Sequence, residues 1–68
     1  MERDQLQTKI GARIKKSRGD RKAREIARRS KITPVYLCQL EGGSAMPSLL
    51  KLYDIARALG TTVQELLP

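Results

Sequence analysis

The spacing of Ile26, Ala27, Ile32, Leu37 and Leu40 constrains this chain more than any other feature. Two short helices meeting across a tight turn place these residues on one inner side, because positions three or four apart share a helix face. The residues between them then face outward. Thr33-Pro34 marks a helix start, since Thr accepts hydrogen bonds from free first-turn amides and Pro is tolerated in a first turn. Gly42-Gly43 marks a stop, where a glycine can take the left-handed cap. The pattern predicts a helix over about 22–29, a turn through Ser30, Lys31 and Ile32, and a helix opening at Pro34.

Upstream, Leu6, Ile10 and Ile14 recur every fourth residue and predict an amphipathic helix from about 4 to 18, broken at Gly19-Asp20. Gly11 lies inside it, either as a point of close packing or as a tolerated blemish that weakens the helix. Downstream, Ser48 caps a fourth helix with the stripe Leu49, Leu52, Tyr53, Ile55, Ala56 and Leu59, which Gly60 ends. Tyr53 is expected in the core with its hydroxyl at the edge. Thr62-Val63-Gln64-Glu65 reads as a capping box opening a last turn that carries Val63, Leu66 and Leu67.

A chain of 68 residues allows one domain that buries roughly 60% of its unfolded surface. With two Tyr and no Phe or Trp, its core must be aliphatic, which suits short helices. The formal charge of +7 is concentrated: residues 9–31 hold eleven Lys and Arg against Asp20 and Glu25, a net of +9, while the rest carries −2. A merely solvated surface mixes both signs, so a polyanion-binding face is the expected reading. No His is present, and one Cys with scattered carboxylates offers neither a metal cluster nor a nucleophile with its base. A non-enzyme without cofactors or an evident small-molecule ligand is expected. Cys38 has no intramolecular partner, and no stretch reads as a signal peptide or a membrane span, which points to the cytoplasm.

Taken together, Gly11-x-x-Ile14-x-x-x-Arg18, Ile26-Ala27, Ile32-Thr33, Leu37-x-x-Leu40-Glu41-x-Gly43, Pro47-Ser48-Leu49, Ile55-Ala56-x-Ala58-Leu59-Gly60 and Val63-x-Glu65-Leu66-Leu67 carry a resemblance over nearly the whole chain. In order and spacing it resembles the Cro and phage-repressor-type (XRE) family of helix-turn-helix DNA-binding proteins. The resemblance implies an all-α, compact five-helix repressor-like domain over residues 1–68, with the helix-turn-helix at about 22–42 and its third helix in the major groove. It implies Gln39 as first choice for a base reader, able to pair with adenine N6 and N7, with Val35 meeting a thymine methyl and Thr33 a base edge or phosphate. Cys38 lies on the same outward face, either as a small residue close to the duplex or as a thiol whose oxidation would block binding.

The phosphate contacts implied are Arg24, Tyr36 and the amides near Gly42 and Gly43, with Arg28 and Lys31 after them. Arg18 and Glu41 match a structural salt bridge between the first and third helices. The chain departs from the family pattern at Ala23, where a Gln is usual, at Arg21, where a Leu is usual, and at Lys31, where the turn usually holds Gly. Lys31 either takes a positive φ at some cost or the turn relaxes to another shape. The connection between Arg18 and Ala23 is also about two residues shorter than usual.

The function expected is a sequence-specific double-stranded DNA-binding transcriptional regulator, a homodimer on a palindromic operator. Leu66 and Leu67 are candidates for the dimer surface, or else belong to the core or to the stub of a longer chain. The alternative is a protein-interaction module of the same fold, of antitoxin or coactivator type, docking an acidic partner. Structured RNA is a weaker fit, because two Tyr offer little stacking surface. The operator, the regulated genes and the sign of regulation are not written in the sequence.

Overall fold

Three helices begin where a hydroxyl accepts a hydrogen bond from the amide three residues on. In the computed structural model, which describes residues 2–68, Thr33 Oγ1 accepts from Tyr36 N at 3.0 Å, Ser48 Oγ from Lys51 N at 3.1 Å and Thr62 Oγ1 from Glu65 N at 3.2 Å. These caps open α3 (Pro34–Glu41), α4 (Leu49–Leu59) and α5 (Val63–Leu66), which follow α1 (Arg3–Arg18) and α2 (Ala23–Arg29). The fold is all-α, and the described residues contain no strand. Lys22, expected inside the second helix, is instead its N-cap.

The core is aliphatic throughout. Ile10 and Ile14 of α1, Ile26 and Ala27 of α2, Leu37 and Leu40 of α3, Leu52, Ile55, Ala56 and Leu59 of α4, and Leu66 of α5 are buried together. Each large aliphatic side chain removed from water contributes about 1.5–3 kcal/mol. Leu6, Ile32, Tyr36 and Val63 pack around this cluster half-buried. Among the described residues the one buried polar side chain, Ser30, is satisfied by donating its hydroxyl to the Ile26 carbonyl at 2.7 Å.

Two expectations for α4 are corrected. Leu49 is 74% exposed and Tyr53 50% exposed, so neither is core. Only α2 and α5 pack closely against α4, and they cover the sector centred on Leu52, Ile55, Ala56 and Leu59. An apolar stripe records what a helix could bury; its neighbours decide how much of it they cover. Tyr53 instead lies under the Arg57 guanidinium, 5.9 Å from its ring centroid.

Gly11 is a point of close packing. A Cβ there would collide with the carbonyl oxygen of Leu40 and lie 2.9 Å from that of Glu41, so α1 crosses the last turn of α3 backbone against backbone. Gly11→Ala is therefore expected to destabilise the domain by about 2–3 kcal/mol, the cost of overpacking where the obstruction is main chain and cannot rotate away. Chemical denaturation measures it, and an unchanged midpoint would show that the two helices can separate at little cost.

Candidate nucleic-acid interface

The turn between α2 and α3 sets how α3 is presented. Lys31 has φ 62°, the only positive φ outside glycine among the described residues. Lys31 N donates to Arg28 O at 3.2 Å and Ile32 N to Ala27 O at 3.0 Å, which closes α2 with a Schellman motif at a place where glycine is usual. Of the two shapes open to this turn, the chain adopts the left-handed one despite the Cβ. Lys51 of α4 supports it: its ammonium lies 3.5 Å from Ser30 O and 3.4 Å from Lys31 O, a cation at the carbonyl end of α2. The pattern along the chain gave no sign of this residue, because it reaches the turn from about 20 positions away.

The far end of α3 closes the same way. Gly43 has φ 79°, with Gly43 N donating to Leu40 O at 3.1 Å and Ser44 N to Gln39 O at 3.0 Å. A Cβ on Gly43 would also press on Thr8 of α1 at 3.0 Å. Gly42 remains in the right-handed region, and its N–H donates to Cys38 O at 2.9 Å. The amides of Gly42 and Gly43, expected to be free for phosphate, are thus already engaged in the helix end. What Gly42 still offers is an exposed surface without a side chain.

Between these two ends α3 has an inner and an outer face. Leu37 and Leu40 are buried, Tyr36 and Glu41 half-buried, while Thr33, Val35, Cys38, Gln39 and Gly42 are exposed. Val35 is 68% exposed, a large apolar side chain with most of its surface open to solvent. Thr33 faces solvent, and its hydroxyl also accepts the Tyr36 amide, so it would meet a further partner as a donor.

Two groups of basic residues differ in what they bind. Arg21 donates to the carbonyls of Arg18 at 3.1 Å and Ser17 at 2.6 Å, closing the end of α1 through the shortened connection. Arg29 pairs with Glu25 at 3.3 Å, and Arg13 donates to Glu65 O at 3.3 Å, tying α1 to α5. By contrast Lys22, Arg24, Arg28 and Lys31 are exposed and form no ion pair among the described residues. Lys22, Arg24 and Arg28 line one groove with Glu25. Arg24 and Arg28, four residues apart, share a side of α2 turned away from its buried Ile26 and Ala27.

Arg18 and Glu41 lock α1 to α3. The guanidinium donates twice to the carboxylate, Nε to Oε2 at 2.6 Å and Nη2 to Oε1 at 2.9 Å, and Nη1 reaches Arg21 O at 2.8 Å. Side-chain exposure is 18% for Arg18 and 7% for Glu41. The hydrogen bond to Glu41 raises the Arg18 pKa above its already high ordinary value, so the guanidinium stays charged. Parallel bidentate bonds fix the relative orientation of two helices as well as their distance.

A short helix locked on one side, exposed on the other and joined through a tight turn to a helix bearing unpaired cations defines a helix-turn-helix domain of the transcriptional-regulator type. The chain belongs to the helix-turn-helix family HTH_3, of XRE type, whose profile matches residues 12–66. Among solved structures it is similar to the restriction-modification controller protein C.AhdI from Aeromonas hydrophila, with a TM-score of 0.90 and 23% identity over 98% of this chain and 100% of that one. It is similar to the clp gene regulator ClgR from C. glutamicum, with a TM-score of 0.84 and 33% identity over 90% of this chain and 82% of that one. It also resembles the DNA-binding domain of BldD, with a TM-score of 0.83 and 24% identity over the whole of both chains. At their identities C.AhdI and BldD speak for the fold alone. No curated protein matches the sequence.

Two stability measurements test this frame. Glu41→Ala is expected to cost about 3 kcal/mol, the lower end for a broken buried pair because Arg18 can still reach water; a thermal melt equal to that of the parent would remove the lock. Lys31→Gly is expected to stabilise by about 0.5–1 kcal/mol, the relief of a left-handed non-glycine residue less the extra freedom of glycine in the unfolded chain. A lower melting temperature for that variant would mean that the Lys31 side chain contributes more than its backbone strain costs.

Proposed function

We propose that this chain is a sequence-specific double-stranded DNA-binding transcriptional regulator that binds a palindromic operator as a homodimer, with α3 in the major groove. The observation that carries the reading is the division of α3 into a locked inner face and an exposed face of Val35, Cys38 and Gln39. Beside it stand four exposed cations without ion pairs, Lys22, Arg24, Arg28 and Lys31. The cations supply affinity for the phosphate backbone, and the α3 side chains supply choice among sequences. Tyr36, half-buried on α3 and packed against the core, is the aromatic residue of the same helix and the candidate to bring a hydroxyl to phosphate.

Regulation follows from occupancy, with no chemical step: the bound domain blocks or contacts the transcription machinery. None of the helices among the described residues is long and apolar enough to cross a membrane. For the dimer, Leu66 is 1% exposed and belongs to the core, which removes it from the candidate surface and leaves Leu67. A second apolar group, Leu49, Leu50 and Tyr53 along one side of α4, is exposed and supports self-association there. Two copies related by a twofold axis place their α3 helices on half-sites about 34 Å apart, one turn of DNA.

Selection of bound duplexes from a random DNA pool tests the reading directly. An enriched inverted repeat is the expected result; equal binding to the winner and to a scrambled duplex would exclude an operator. With the enriched duplex in hand, Gln39→Ala is expected to lose about 1–3 kcal/mol of discrimination at one base pair. Arg24→Ala is expected to weaken all duplexes alike and to reduce the salt dependence by about one ion. Should Gln39→Ala leave the sequence preference intact, α3 does not read the groove through this face.

A further inference from the structure

Resting on the reading of α3 as the groove helix, we propose that its exposed face selects 5-methylpyrimidines, thymine above all, so that each half-site is read through methyl groups and one adenine and not through guanine. The helix Pro34–Glu41 carries no Lys or Arg at any position. The commonest base-specific contact, two hydrogen bonds from Arg or Lys to guanine O6 and N7, therefore has no donor on α3. The unpaired cations nearest in sequence, Arg28 and Lys31, lie on α2 and in the turn.

What α3 does present is mostly apolar. Val35 is 68% exposed, and Cys38 is exposed beside it. A free Cys behaves as a small apolar group with only a weak donor. Among Val35, Cys38 and Gln39, only Gln39 carries both a strong donor and a strong acceptor. Set against most major-groove edges, Val35 and Cys38 would strip water from base donors and acceptors without replacing the hydrogen bonds, which is unfavourable. The thymine methyl is the one groove feature that gains from such a neighbour.

The spacing suits two successive pairs. An α-helix rises 1.5 Å per residue, so Val35 and Cys38 are separated by about 4.5 Å along α3, close to the roughly 3.4 Å between stacked bases. Gln39 follows on the same exposed face, with its amide able to hold adenine N6 and N7. Cytosine carrying a C5 methyl restores the apolar group while leaving the N4 donor in place of the thymine O4 acceptor. It is accepted better than cytosine and less well than thymine.

The test uses the full chain and the half-site enriched from a random pool. Each thymine is replaced in turn by deoxyuridine, which removes the methyl and nothing else, and affinity is measured at fixed salt. Loss of about one buried methyl per contacted thymine corresponds to about a fourfold weakening, at two neighbouring positions and at no others under α3. Val35→Ala, which removes two methyl groups, should shrink the difference between thymine and uracil at one of those positions, and Cys38→Ser, which puts a hydrated hydroxyl in place of the apolar thiol, at the other. Both side chains are exposed, so neither change disturbs the core. An enriched operator whose affinity is indifferent to uracil, or one that requires guanine at the pairs where Val35→Ala and Gln39→Ala alter preference, overturns this inference while leaving operator binding intact. A pool that yields no enriched duplex overturns both.

Discussion

The crossing of α1 over the last turn of α3 is the constraint on which the rest of the structure depends. At Gly11 the two backbones come so close that no side chain fits between them. Seven residues further along α1, Arg18 grips Glu41 with two hydrogen bonds. Gly43, in the left-handed conformation, packs its backbone against Thr8. Three contacts along one long helix thus hold one short helix by its main chain and by a charged fork. An eight-residue helix has little stability of its own. Held this way, it keeps a fixed outer face, and a fixed face is what allows a few side chains to discriminate among ligands.

The charge of the molecule has two tasks, separated in space. Arg13, Arg18, Arg21 and Arg29 bind carbonyls or carboxylates of the chain itself, closing helix ends and joining α1 to α3 and α5. Among the described residues, the side chains of Lys22, Arg24, Arg28 and Lys31 form no ion pair and are exposed to solvent. Arginine suits the first task because its planar fork of donors matches paired acceptors. The surplus visible in the sequence is therefore an upper bound on what can face a polyanion, and the face is built from fewer residues than the count along residues 9–31 suggests.

Much of the fold was legible because the relevant physics is local. Thr33, Ser48 and Thr62 announce helix starts by what a hydroxyl can do for the nearest free amides, and all three do so here. The Glu65 half of the capping box expected at Thr62 is not formed among the hydrogen bonds of the described residues, so that end rests on the hydroxyl alone. Periodicity located the buried faces of α1, α2 and α3, but it overreached on α4. There Leu49 and Tyr53 continue the stripe past the edge of what α2 and α5 cover. Glycines were ambiguous until their neighbours were known: Gly11 reads equally as blemish or as contact until Leu40 and Glu41 are seen beside it.

The sequence by itself determined the number and order of the helices, the aliphatic makeup of the core, and which residues of α3 can face outward, because caps, periods and side-chain chemistry act over a few residues. Tertiary structure decided which cations remain free, whether Gly42 and Gly43 have amides to offer, and how a lysine can occupy a turn that favours glycine. The cations and the turn depend on partners distant along the chain, Glu65 for Arg13 and Lys51 for the carbonyls of Ser30 and Lys31, while the amides of Gly42 and Gly43 are taken up by the end of α3 itself, at Cys38 and Leu40. Donors and acceptors are spoken for only once the chain has folded, and no local pattern records a hydrogen bond made across 20 or more residues.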